Sequence, residues 1–163
     1  MEESKMVLES ARSRLSALAP IAEEVNKASD AFTEELRTIE TELAKLNLGV
    51  EVTLRNPLIG GDFHEQDDES NDRLVARYRF DTFLAYGKHR SQSAWRLLVR
   101  KYRVDVDSED DVVREVLLSE KALLEASREL RIAAAGQIDQ LLEAITEEAA
   151  TKATLLRKVT DKK

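Results

Sequence analysis

The sequence predicts an α+β, predominantly helical chain: a long antiparallel helical hairpin, coiled-coil-like, whose arms are joined by a three-stranded antiparallel β-meander. Three observations predict it. Small or apolar residues recur at alternating spacings of three and four from Leu8 to Leu46. Hydrophobic alternation switches to period two after Gly49. A broad apolar stripe resumes beyond Ser108. The first pattern is that of a helix burying one narrow seam, the second that of a half-buried strand.

The first arm is expected over residues 1–48. Its ladder runs Leu8, Ala11, Leu15, Leu18, Ala22, Val25, Ser29, Phe32, Leu36, Ile39, Leu43, Leu46, and only Ser29 is polar. Gly49 reads as the stop, since glycine takes the left-handed turn that ends a helix. Pro20 lacks the backbone donor a helix interior needs. The ladder keeps its phase across it, which favours a kink over a loop.

The meander is expected over residues 49–107. Val50, Val52 and Leu54 alternate with Glu51, Thr53 and Arg55. Leu74, Ala76, Tyr78 and Phe80 alternate with Val75, Arg77, Arg79 and Asp81. Residues 94–104 form the third strand, rich in strand formers. Asn56-Pro57 and Gly60-Gly61 break the chain between the first two strands, and an acidic loop occupies residues 60–72.

The second arm is expected over residues 108–161. Ser108 serves as its cap, and Glu109, Asp110 and Asp111 face the positive end of its dipole. A second kink is expected near Gly136, at the same height as Pro20 if the arms pair antiparallel. The helices either stay long or fold back there into four shorter ones. The small residues Ala133, Ala134, Ala135 and Gly136 suit close helix packing. The whole, residues 1–163, reads as a single elongated domain.

Composition bounds the function. The chain has 163 residues, a charged fraction of 35%, an aromatic fraction of 5% and no cysteine. That excludes disulfides, thiolate metal sites and cysteine nucleophiles. No apolar run reaches the roughly 20 residues of a membrane span, and the acidic start has no signal-peptide core. A soluble, cytoplasmic protein is expected, without membrane contact. The net charge is −7, unevenly spread: residues 62–72 hold six acids and no base, whereas residues 73–103 hold nine bases and only Asp81.

No catalytic constellation, cofactor fingerprint or metal-ligand spacing is present. His64 lies among carboxylates that lack the spacing of a calcium loop or a zinc helix. His89, in Lys88-His89-Arg90, has no nucleophile or acid placed beside it and reads as a surface residue. The best candidate is the basic sheet. Arg73, Arg77 and Arg79 share the face away from Tyr78 and Phe80. Arg96 and Arg100 project outward if Trp95, Leu97 and Val99 are buried. Lys88 and Arg90 lie at the edge. Arginine forks match phosphate or carboxylate oxygens, and aromatic residues such as Trp95 stack on bases.

The expected function is therefore non-catalytic. The chain reads as a protein-interaction, scaffolding or assembly protein, a homodimer acting through a coiled-coil helical bundle and a basic sheet tip that suits an acidic protein partner. The alternative is a nucleic-acid-binding accessory protein using the same arginine-rich face. It predicts a steep loss of affinity with salt.

Overall fold

A computed structural model describes residues 2–66, 76–107 and 111–161. The chain divides into two compact units, Met1–Thr38 and Ile39–Lys163. Helix α1 (Glu2–Leu46) supplies the described residues of the first unit and opens the second. The helix runs through Pro20 without a loop. It ends at Asn47, whose φ of 46° is left-handed, and Gly49 follows with a φ of 62°. The stop signal read at Gly49 is thus shared with Asn47.

The second unit is built on one antiparallel sheet. Its strands are β1 (Val52–Thr53), β2 (His64–Gln66), β3 (Ala76–Lys88), β4 (Trp95–Val106) and β5 (Val112–Ala122). The order is β1-β3-β4-β5, and β2 also pairs with β3. A short 3-10 turn, Leu123–Glu125, leads into α2 (Arg128–Ala135) and α3 (Ile138–Thr160).

This corrects the expected hairpin and meander. Among the described residues the sheet has five strands. The C-terminal arm does not exist as one helix: its residues Val112–Ala122 are β5, and the helices that follow span 8 and 23 residues against the 45 of α1. The physical reason lies in two register shifts between β4 and β5, at Lys101/Tyr102 and Asp105/Val106. Each inserts an extra β5 residue, Leu118 and Val113, opposite the ladder. A bulge breaks the period of two. Val112, Val113, Val116 and Leu117 then mimic a helical stripe, although valine favours the pleated sheet. The helical start comes later, at Ser127, whose side chain accepts from the Leu130 N–H at 3.4 Å. The cap expected at Ser108, the stretch 67–72 of the acidic loop, Arg73 and the strand start expected at Leu74 and Val75 lie outside the described residues. Residues 64–66 of that loop form β2. Gly136 separates α2 from α3, so the weak point read there is a helix boundary.

The core sits at the β3–β4 hairpin end. Leu84, Ala85, Tyr86, Leu97 and Leu98 are essentially inaccessible, as are Leu123, Ala134 and Leu141. Consecutive buried residues mean that both sheet faces are covered at this end. Lys152 of α3 donates to the carbonyls of Leu48 (3.1 Å) and Gly49 (2.7 Å), which ties the segment between α1 and β1 to α3.

Candidate functional site

Register decides which side chains share a face, because residues directly opposite in an antiparallel pair project to the same side. Arg79 lies opposite Val104, Asp81 opposite Tyr102, Phe83 opposite Arg100 and Gly87 opposite Arg96. One face therefore gathers Arg77, Arg79, Arg96 and Arg100, as their alternation predicts. The other gathers Tyr78, Phe80, Leu84 and Tyr86 of β3 with Trp95, Lys101 and Arg103 of β4.

The arginine face is saturated with internal partners. Arg100 donates through Nε to Glu120 at 2.8 Å and through Nη1 to the Thr53 hydroxyl at 2.9 Å, with Glu51 at 3.8 Å. Arg96 reaches Glu40 at 3.3 Å, and both Glu125 and Gln92 at 2.8 Å. Glu40 also accepts the Leu97 N–H at 2.8 Å. Arg79 donates to Asp81 at 2.7 Å, and Asp81, only 2% exposed, accepts from the Gly61 N–H at 3.2 Å. Arg77 lies 4.0 Å from Glu65, with its guanidinium 4.6 Å from the Phe63 ring centre.

These partners set the local electrostatics. Burial of Glu120 opposes its ionisation, but the Arg90 N–H, the Arg100 guanidinium and the charge of His89 outweigh it and hold the carboxyl below its ordinary value of 4.5. Burial alone would weaken the hold of Arg96 on its proton, yet Glu125 and Glu40 reverse this and raise its pKa. Burial, helped by the charge of Glu40, raises the Tyr86 phenol above 10.0.

The remaining candidates scatter. Trp95 is half-buried and stacks on Tyr86, ring centres 5.7 Å apart. Lys88 and Arg90 are exposed, and their backbone N–H groups donate to Glu51 and Glu120 respectively. His89 is buried, not at the surface as its sequence setting suggests, and its Nδ1 lies 3.0 Å from the Ser91 hydroxyl. The β3–β4 turn folds it inward, with Ser93 at a left-handed φ of 53°. His64 is exposed on β2. Among the described residues no group of three or more His, Asp or Glu side chains could hold a metal ion. A cleft of about 370 Å³ opens on the arginine face, where Arg55, Arg79, Asp81, Tyr102 and Glu115 line it. It sets two bases beside two acids, so no single ligand charge is favoured.

The opposite face is different in kind. His64 stacks on Tyr78 at 5.3 Å and lies 5.8 Å from Phe80, and the Tyr78 and Phe80 rings meet edge-on at 5.5 Å. Arg103 stands over the Tyr78 ring at 4.1 Å and Lys101 over Phe80 at 5.1 Å. Sequence reading passed this cluster over. The signal was present in the alternation, since Lys101 and Arg103 fall two and four residues after Val99.

Among the described residues no helix is long and apolar enough to cross a membrane. No protein-family model, curated protein or solved structure matches the chain.

Proposed function

We propose that this is a non-catalytic, cytoplasmic assembly protein that pairs with a second copy of itself through the apolar seam of its first unit. The observation that carries the reading is the exposure of that seam. Leu8, Leu15, Leu18 and Val25 are 47–65% exposed on one helical register, with Met6, Val7 and Ile21 exposed beside them. Burying a leucine that is otherwise in water contributes about 1.5–3 kcal/mol. Several such residues in coiled-coil register are the usual driving force for pairing of helices.

Charge argues for the second copy and for its direction. The seam begins near Arg12 and Arg14 and continues past Glu23, Glu24, Glu34 and Glu35. Antiparallel pairing sets Arg12 and Arg14 of one copy beside the acidic stretch of the other, whereas parallel pairing sets like beside like. The rival reading, in which Arg77, Arg79, Arg96 and Arg100 grip an acidic protein or nucleic acid, has less support because carboxylates of this chain already engage them.

Light scattering on the full chain at tens of micromolar tests the proposal. The expected mass is that of a dimer, which the double substitution Leu15→Asp and Leu18→Asp reduces to a monomer with unchanged helical circular dichroism. A monomeric wild type overturns it.

A further inference from the structure

We infer that the aromatic face of the sheet is a binding surface for single-stranded nucleic acid. The surface is the outer part of β2–β5, where Tyr78, Phe80 and His64 lie beside Lys101 and Arg103. Register adds two more cations to the same side: Lys121 lies opposite Val99, and Arg114 opposite Asp105. Lys101, Arg114 and Lys121 are exposed and make no ion pair or side-chain hydrogen bond among the described residues. The single acid among these positions is Asp105, which takes the Arg103 Nε at 2.7 Å. That bond leaves the terminal guanidinium nitrogens of Arg103 without a partner among the described residues.

The chemistry selects the ligand. Exposed cations with almost no acids among them favour a polyanion. Neighbouring rings favour one with flat faces. Phosphates supply the first, and unpaired bases supply the second by stacking on aromatic rings or on a guanidinium plane. A duplex hides its base faces, and an acidic peptide has none. The contrast with the arginine face is the strongest argument. There every inward guanidinium meets an acid of the chain itself, so cations left unpaired elsewhere are not a general feature of this sheet.

Fluorescence anisotropy with the full chain tests this. The probes are a labelled oligothymidylate of about 16 nucleotides, a duplex of equal length and an oligoglutamate peptide, at roughly 50 and 200 mM salt. The expected result is binding of the single strand above the other two. Replacing Lys101, Arg114 and Lys121 together by Gln should flatten the salt slope by about 2, at about 0.7 per contact. Phe80→Leu keeps an apolar side chain but removes the ring, and should cost about tenfold in affinity. Arg55→Gln, on the other face, should leave binding unchanged. Circular dichroism checks that each variant is folded. Absence of binding at the lower salt overturns the inference. So does equal affinity for the duplex or the peptide, or a triple variant that binds like the wild type.

Discussion

The two faces of the β3–β4 ribbon carry the same kinds of residue but leave different numbers of cations to water. On one, Arg79, Arg96 and Arg100 end in carboxylates at 2.7–3.3 Å. On the other, Lys101 ends over the Phe80 ring, Arg103 is shared between the Tyr78 ring and Asp105, and the neighbouring Arg114 and Lys121 end in water. Burial follows the division. It does so for the cations, not for the faces as wholes: Arg100 on the first face is buried, whereas Lys101 and Arg114 on the second are exposed. A cation taken from water needs a partner, and the chain supplies one for each. A cation left in water does not, and it stays available to something else. The difference teaches that basic residues in a sheet are not one surface: their role depends on which side of the pleat they fall.

The sharpest way to break this contrast is to remove a buried partner. Arg100 is 9% exposed, and Glu120 has a side chain only 5% exposed. Arg100→Met keeps the aliphatic stem but takes the counter-charge from Glu120, leaving it the Arg90 N–H alone, and removes the donor to the Thr53 hydroxyl. Removing one member of a buried pair costs on the order of 3 kcal/mol. Urea unfolding should show that loss. The double variant Arg100→Met with Glu120→Leu should recover much of it, because no charge is then left unpaired. A single variant as stable as the wild type would mean that the arginine face is solvated after all.

How much of this was legible in the sequence depends on the range of each interaction. The α1 ladder and the alternation of β3 and β4 are local, and both were readable. The grouping of Arg77, Arg79, Arg96 and Arg100 on one face was readable too, since it needs only parity along two strands. What parity cannot show is occupancy. Glu40 meets Arg96 across 56 residues and Glu51 meets the Lys88 N–H across 37. Glu40 sits in a helix and Glu51 in the period-two stretch, so both look like solvated acids. Strand β5 was hidden for a different reason. Its bulges at Val113 and Leu118 break the alternation, and what is left resembles the period of a helix. Strand β2, at three residues, is too short to carry a period at all.

Acid sharpens the comparison further, because the paired face is coupled to a depressed carboxyl. Glu120 titrates below its ordinary value in the folded chain. The unfolded chain therefore takes up the proton first as pH falls. The stabilisation is fully present above about 4.5 and disappears as pH drops through the lower, folded value. Glu120→Gln should be less stable than the wild type at neutral pH. The two should converge below pH 4.5, measured as thermal midpoints across the acid range. A constant gap across that range would show that Glu120 contributes by packing and not by charge.

The smallest expected effect lies on the open face, and its smallness is the point. Lys101→Gln and Arg114→Gln remove charges that sit in water and hold no acid of the described chain. Lys101 does stand over the Phe80 ring, but an exposed contact of that kind contributes only about 0.5–1 kcal/mol. Arg114 has no such contact, and surface changes of its type stay within about 0.5 kcal/mol. The expected order of stability loss is Arg100→Met, then Lys101→Gln, then Arg114→Gln. Such a ranking, read in one series of urea midpoints, places the structural work of the cations on one side of the ribbon. If Arg114→Gln instead cost as much as Arg100→Met, the open face would itself be part of the folding core, and its charges would not be free to bind anything.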